Sequence, residues 1–420
     1  MVPARFSYLL RATALTALLS GCGLPLGQLG GNGSLQQTLG ASSLSATGAV
    51  VPGGSAALMP QFPASLGLLG SDVLPASIGI GISVGRAAIA VKMAAPATVG
   101  SVQLPAGASY EFQASGGKVS LIENGQVVVS QTSPILVSPA ADGALEWNGR
   151  RYRGSFEALA TPGALDCVTL VDRLPLESYL LGVVPAEMPA SWPEAALESQ
   201  AIAARTYAAA NIGRHADQGF DLYGDTRDQA YGGESAETLA SDAAVQATYG
   251  LGLTYQGRII TALFHASSGG QTDDAIAVWG IDLPYIRGVD DIDISPYAHW
   301  TRVLSAARVE AGLAAQGIEV GSPERLSVQT YTAHGRARWL SVTGTAGSAV
   351  ADANSFRLAT GLPSTRYQLA AIAGGWQFTR GGFGHGLGMS QWGAKAYADL
   401  GWSYDQILMH YYTGVDLASF

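Results

Sequence analysis

From Ala12 through Ser71 the chain carries no Asp, Glu, Lys or Arg, and this uncharged run bounds where a folded domain can start. Its first part, roughly Ala12 to Leu19, is a short apolar stretch introduced and interrupted by Arg5 and Arg11. That is the pattern of an export signal, and it is too short to span a bilayer as a mature helix. The rest is Gly, Ser, Leu, Gln, Thr and Pro in no periodic order, which reads as a tether. About 50 such residues extend to at most roughly 165 Å and average about 40 Å end to end as a flexible coil.

The signal closes on Leu19-Ser20-Gly21-Cys22, a quartet that resembles the bacterial lipobox, in which the Cys becomes the lipidated first residue of the mature chain. Two or more acyl chains, each methylene contributing roughly 0.8 kcal/mol, hold a protein on a membrane. The expected organisation is therefore a lipoprotein signal peptide over 1–21, an uncharged linker over 22–75 and one folded domain over 76–420. The expected location is extracytoplasmic, in the cell envelope, anchored at Cys22.

Charge and cysteine content narrow the function classes. Twenty-three Lys plus Arg against 32 Asp plus Glu give a net charge of −9. No basic cluster stands out, so a phosphate-tracking groove for nucleic acid is not expected. Cys22 and Cys167 are the two cysteines, too few for a disulfide framework or a Cys-rich zinc site. The apolar context of Cys167 marks it as a buried core thiol.

Turn chemistry announces four strand pairs: 118–130 around Asn124-Gly125, 144–156 around Asn148-Gly149, 251–264 around Gln256-Gly257, and 326–342 around His334-Gly335. Helices are expected over about 176–184 and from Ser191 to about Asn211, with Ser191 and Glu194 fitting a capping box and Pro193 in the first turn. Two more close the chain: 390–400, stopped by Gly401, and one opened by a Ser403–Gln406 capping box. Helices segregated from strand blocks make the fold class α+β, a hairpin-rich scaffold with a few helices framing a substrate groove.

Four patches carry chemistry. In Val183-Val184-Pro185-Ala186-Glu187-Met188-Pro189, one carboxylate is flanked by apolar residues and Pro, so its charged form loses hydration. Raising a Glu from about 4.3 to about 6, as general acids in sugar-cleaving sites need, takes roughly 2 kcal/mol. A carboxylate there can instead cap the next helix or pair with Arg205. Gln200, Arg205 and Tyr207 follow on an Ala-rich helix, where Gln200 and Arg205 either look toward Glu187 or form an exposed polar face. His265, Ser267 and Ser268 lie where a strand runs into a turn dense in hydroxyls. His385, Ser390, Gln391 and Trp392 lie in a glycine-rich run that lacks the Gly-Lys-Ser/Thr of a phosphate loop. Trp392, Tyr411 and Tyr412 offer flat faces for sugar rings or pack in the core.

Together and in this order, the patches resemble the sporulation protein D family (SpoIID/LytB), whose spore-former member is a peptidoglycan lytic transglycosylase. The likeness runs from about Ala76 to Leu417. It includes Asn148-Gly149-Arg150, Leu176-Glu177-Ser178-Tyr179-Leu180, Glu187-Met188-Pro189, Gln200-Ala201 with Arg205-Thr206-Tyr207, the Ser-Ser-Gly-Gly turn, and the closing Gly-His-Gly run through His410-Tyr411-Tyr412. The resemblance implies that Glu187 is the catalytic acid. The residues read above as facing the glycan, and so expected to bind it, are Gln200, Arg205, His265, Ser267, Ser268, His385, Ser390, Gln391, Trp392, Tyr411 and Tyr412. The resemblance further implies peptidoglycan strands as partner and, by the role of other family members, a wall amidase that the protein enhances. The spore-former enzymes hold zinc through Cys and His in the segment corresponding to 221–231. This chain has neither there, so no structural zinc and no cofactor are expected. A hydrolase pairing Glu187 with Asp225 or Asp228 is a further alternative.

Overall fold

The computed structural model describes residues 73–420. The export segment, Cys22 and all but the last three residues of the expected linker lie outside the described residues. The first strand, Ser77–Arg86, begins beside the expected start at Ala76. The described residues form an α+β fold.

Two antiparallel-rich sheets carry the N-terminal half. One has seven strands in the order Leu222–Tyr223, Ser77–Arg86, Ala164–Pro175, Ser155–Thr161, Ile135–Pro139, Ala97–Val99, Val102–Leu104. The other has six, in the order Arg150–Tyr152, Leu145–Trp147, Ala88–Met93, Ser109–Ser115, Lys118–Glu123, Gln126–Thr132. Strand Ala88–Met93 alternates exposed and buried residues, as a strand with one wet face must. Val91, Phe112 and Leu121 of the second sheet share one apolar cluster with Val137, Phe156 and Leu170 of the first.

Three of the four expected hairpins close on two-residue turns with both residues at positive φ: Asn124-Gly125, Asn148-Gly149 and Gln256-Gly257. These match the right-handed twist of the flanking strands. The third differs beyond its turn. Its return strand ends at Ile259, and Phe264–His265 pairs instead, in parallel, with Met389–Ser390. The fourth pairs Pro323–Tyr331 with Ala337–Gly344 across a longer loop.

The helices are α1 (Leu176–Glu187), α2 (Glu194–Ala210), α3 (Leu239–Ala247), α4 (Ala275–Trp279), α5 (Ala306–Ala314), α6 (Ala353–Thr360), α7 (Gln391–Asp399) and α8 (Tyr404–Tyr411). The Ser403–Gln406 capping box is present. The one expected at Ser191 is not. Pro193 is the N-cap of α2 and makes no side-chain capping bond, because the Trp192 N–H closes a turn on the Pro189 carbonyl and leaves Ser191 exposed.

The segment from Trp300 to Phe378 has an apolar cluster of its own, built on α5, α6 and two three-stranded sheets. It is thus a packed unit inside the expected single domain, entered and left on paired strands with Trp300 opposite Arg380. Cys167 is fully buried, as expected.

Candidate active site

Strand Ala164–Pro175 runs directly into α1, whose last residue is Glu187. Pro185 sits in the final turn, and Met188 leaves in extended conformation with its N–H on the Val184 carbonyl. The carboxyl therefore projects from the C-terminal end of a helix, where unpaired carbonyls disfavour an anion. Helix α2 packs beside α1 and is buried from Ser199 through Ala209, which its run of alanines permits.

The half-buried Glu187 is held by neutral donors. Its Oε1 accepts a 2.7 Å hydrogen bond from the Ala230 N–H, and its Oε2 accepts one of 3.0 Å from the Gln391 side-chain amide. The same Gln391 nitrogen reaches Gln200 Oε1 at 3.4 Å. Burial raises the carboxyl above its ordinary 4.5, outweighing the two hydrogen bonds, which favour the anion. Among the described residues, no charged group contributes to that balance. Such a carboxyl can give a proton to a nearby oxygen and take one back without changing partners.

The parallel pairing of Phe264–His265 with Met389–Ser390 brings two distant patches together. Ser390 caps α7 by accepting from the Gly393 N–H at 3.2 Å, which fixes Gln391 as the first helical residue. The Trp392 N–H donates to the Ala266 carbonyl at 3.0 Å. Trp392 is half-buried and meets Trp192 with ring centroids 4.7 Å apart and planes tilted by 59°. Trp192 is not among the residues that the sequence pattern singled out. Its place just after the acid, at a turn between two prolines, is the signal that marks it.

Several expected contacts are absent. Arg205 does not face Glu187: it is fully buried and forms a two-pronged ion pair with Glu177 at 2.7 and 2.8 Å. It also donates to the Leu251 carbonyl at 3.1 Å, closing α1 and α2 onto the following strand. Ser267 donates to Asp293 at 2.7 Å, tying its turn to a second loop, and Ser268 accepts from the Gly270 N–H at 3.0 Å within the turn, so both hydroxyls serve the fold. Tyr411 and Tyr412 are fully buried, with their hydroxyls on Asp291 at 2.6 Å and on the Leu263 carbonyl at 2.7 Å. They are core residues, with no ring face left for a sugar.

His265 and His385 lie with ring centroids 5.4 Å apart. His265 Nδ1 faces the Leu387 carbonyl at 3.1 Å and so carries its hydrogen, whereas His385 Nδ1 accepts from the Leu387 N–H at 3.0 Å. Burial, helped by positive neighbours that include Arg336, pushes His265 well below 6.5 and His385 down to about 3. Both rings are neutral at physiological pH. A cavity of about 440 Å³ lined by His299, Trp300, Thr301, Gln368, Thr379 and Arg380 lies at the root of the inserted unit and includes no candidate site residue.

The segment 221–231 does not fit a metal. Asp228 is buried and engaged by His215 at 2.9 Å, the Tyr223 N–H at 2.9 Å, the Tyr207 hydroxyl at 3.1 Å and Arg214 at 3.4 Å. A guanidinium already occupies the place a cation would take. Burial pushes Asp228 up, but these donors prevail and hold it below 3.8. Asp225 is exposed and paired with Arg227 at 2.6 Å. Neither acid is the unpaired second carboxyl that a two-acid hydrolase needs.

One half-buried acid held by neutral donors, at a helix end in an α+β scaffold, defines a single-carboxyl site. The family model described as "Stage II sporulation protein" matches residues 166–255, which contain α1, Glu187, α2 and the segment 221–231. The chain is 32% identical to an uncharacterised protein of Brachyspira hyodysenteriae, over 65% of this chain and 74% of the relative. It is 32% identical to Stage II sporulation protein D of Bacillus amyloliquefaciens, over 59% and 75%. It is 28% identical to a Bacillus subtilis protein named amidase enhancer, over 75% and 50%. The chain belongs to the stage II sporulation protein D family, and its role relates to the cell wall.

Proposed function

We propose that the protein is a peptidoglycan lytic transglycosylase that cleaves between N-acetylmuramic acid and N-acetylglucosamine. The observation that carries this reading is Glu187, raised by burial and held by the Ala230 N–H and the Gln391 amide, with no cation beside it among the described residues. Glu187 protonates the bridging oxygen as the bond to the muramic C1 breaks. The carboxylate then takes the proton of the muramic C6 hydroxyl while O6 bonds to C1. The products are a free hydroxyl end and a 1,6-anhydro end, and the carboxyl regains its proton. One acid suffices because the nucleophile belongs to the substrate, whereas ordinary glycosidases need two acids about 5 Å or about 6.5–9.5 Å apart. Gln200 and Gln391 orient the acid, and the Trp192–Trp392 pair supports a pyranose face beside it.

The alternative, prompted by the relative named amidase enhancer, is a wall-binding protein that stimulates a partner amidase with little or no cleavage of its own. Mass spectrometry of isolated glycan strands separates the two. Wild type yields anhydro ends, and Glu187→Gln lowers their formation by about 10³-fold. A wild type that yields none, with a variant that stimulates an amidase equally well, removes the enzyme reading. Uptake of label from heavy-oxygen water at the new end would show attack by water instead.

The envelope location and the lipid anchor are proposed on Leu19-Ser20-Gly21-Cys22. A lipid thioether on the N-terminal peptide is the expected mass. An unmodified Cys22 in that peptide would rule the anchor out.

A further inference from the structure

Four consecutive residues, Asp228 to Tyr231, are tied by hydrogen bonds to α1, to α2 with the turn after it, and to the strand that precedes α1. Asp228 is held by Tyr207 of α2, by Arg214 and His215, and by the Tyr223 N–H. Gln229 accepts from the Tyr179 hydroxyl of α1 at 3.3 Å and donates to the Ala204 carbonyl of α2 at 3.3 Å. The Ala230 N–H donates to Glu187. The Tyr231 hydroxyl donates to the buried Asp172 at 2.8 Å. The Tyr231 ring also lies so close to Gly182 of α1 that a Cβ there would stand 2.6 Å from it. A single residue separates Asp228 from Ala230, so a movement of the first is carried to the N–H of the second.

Resting on the reading of Glu187 as the acid, we propose that Asp228 is a positioning residue whose contacts keep the Ala230 N–H on Glu187 Oε1. Three observations support it. Asp228 has no exposed side-chain area, so its four contacts are spent inside the molecule rather than on a ligand. Its partners come from α2, from the turn after α2 and from the strand at Tyr223, so it joins that turn to the loop. The loop in turn supplies one of the two hydrogen bonds that Glu187 receives.

The consequence is readable by pH. The neutral donors Ala230 N–H and Gln391 favour the Glu187 anion against burial, and Tyr179 is the titratable side chain that its charge influences. Around Asp228 stand Arg214, His215, Tyr207 and Tyr223, with the Asp225–Arg227 pair beyond. If the N–H withdraws, the anion loses a partner and the Glu187 midpoint rises. An acid that must be protonated then stays active to higher pH, and the alkaline limb of the rate profile moves up.

The test uses the full chain with carbon-13 in its Glu carboxyls, the Glu187 signal being assigned by its loss in Glu187→Gln. Asp228→Asn keeps the shape and removes the charge, and Tyr207→Phe removes one contact at constant volume. The expected result is a Glu187 midpoint raised by about one pH unit in Asp228→Asn, a smaller rise in Tyr207→Phe, and matching shifts of the alkaline limb of anhydro-end formation. An unchanged midpoint in folded variants, whatever their activity, overturns the proposal. Loss of folding in both variants overturns it too, since Asp228 would then serve the whole fold. The midpoint is read without turnover. A missing reaction therefore counts against the transglycosylase reading alone.

Discussion

Glu187 and Asp228 are two shielded carboxyls that grip the same short loop from opposite ends, and their surroundings drive them in opposite directions. Glu187 meets an N–H and an amide, and burial prevails, so its carboxyl rises above 4.5. Asp228 is hydrogen-bonded to His215, stands beside the Arg214 guanidinium and accepts from the Tyr223 N–H, and burial loses, so its carboxyl falls below 3.8. Desolvation is common to both. The sign is decided by whether a cation stands within reach, and with it the division of labour between an acid that exchanges protons and an acid that ties elements together. Asp172 adds a third case. It is buried with the Tyr231 hydroxyl as its donor, and burial raises it well above 3.8.

The largest test of this contrast is Arg205→Met, which removes a buried cation from an acid of the tying kind. Glu177 loses its two-pronged partner, and the variant is expected to be less stable by about 3 kcal/mol in urea unfolding. A loss below about 1 kcal/mol would mean that cation pairing does not mark a structural acid here.

Asp172→Asn comes next. A carboxyl raised on folding contributes stability that is fully present below its unfolded value near 3.8 and is lost as pH rises through its folded value. Asn keeps an acceptor for Tyr231 and does not titrate. The variant is therefore expected to be more stable than wild type at pH 8 by about 1 kcal/mol or more, with the advantage fading toward pH 4 in a series of thermal melts. Equal stability at all pH values would show that Asp172 does not resist ionisation.

A third test separates ligand contact from proton control. In a Glu187→Gln background, Trp392→Ala and Trp192→Ala are expected each to weaken glycan-strand binding about tenfold, near 1.4 kcal/mol. In otherwise wild-type protein neither should move the Glu187 midpoint. A shifted midpoint with unchanged binding would reassign the indoles to the acid's shielding.

What could be read from the chain beforehand follows the range of each interaction. Glu187 stood out because Val184, Pro185, Met188 and Pro189 surround it locally, and the Asn-Gly and Gln-Gly turns because both φ values are set within two residues. The donors of Glu187 were hidden by distance in one case and by chemistry in the other. Gln391 is 204 residues away, and the Ala230 donor is a backbone N–H that no side-chain pattern reveals. Arg205 looked like a site residue because its partner Glu177 lies one helix earlier. Ser267 and Ser268 looked available because the Asp293 and Gly270 groups that satisfy them are fixed only by the folded turn. The unit from Trp300 to Phe378 was missed because its strands and helices resemble those around it. Only the separate apolar cluster, with Phe356, Phe378 and Leu340 at its centre, sets it apart.

The central claim is that burial keeps the Glu187 carboxyl protonated beyond the range of an ordinary Glu. Carbon-13 titration of that carboxyl in the wild-type protein measures this directly. The account predicts a midpoint above 4.5. A midpoint at or below 4.5, with the carboxyl ionised throughout the range where glycan strands are cut, would contradict it.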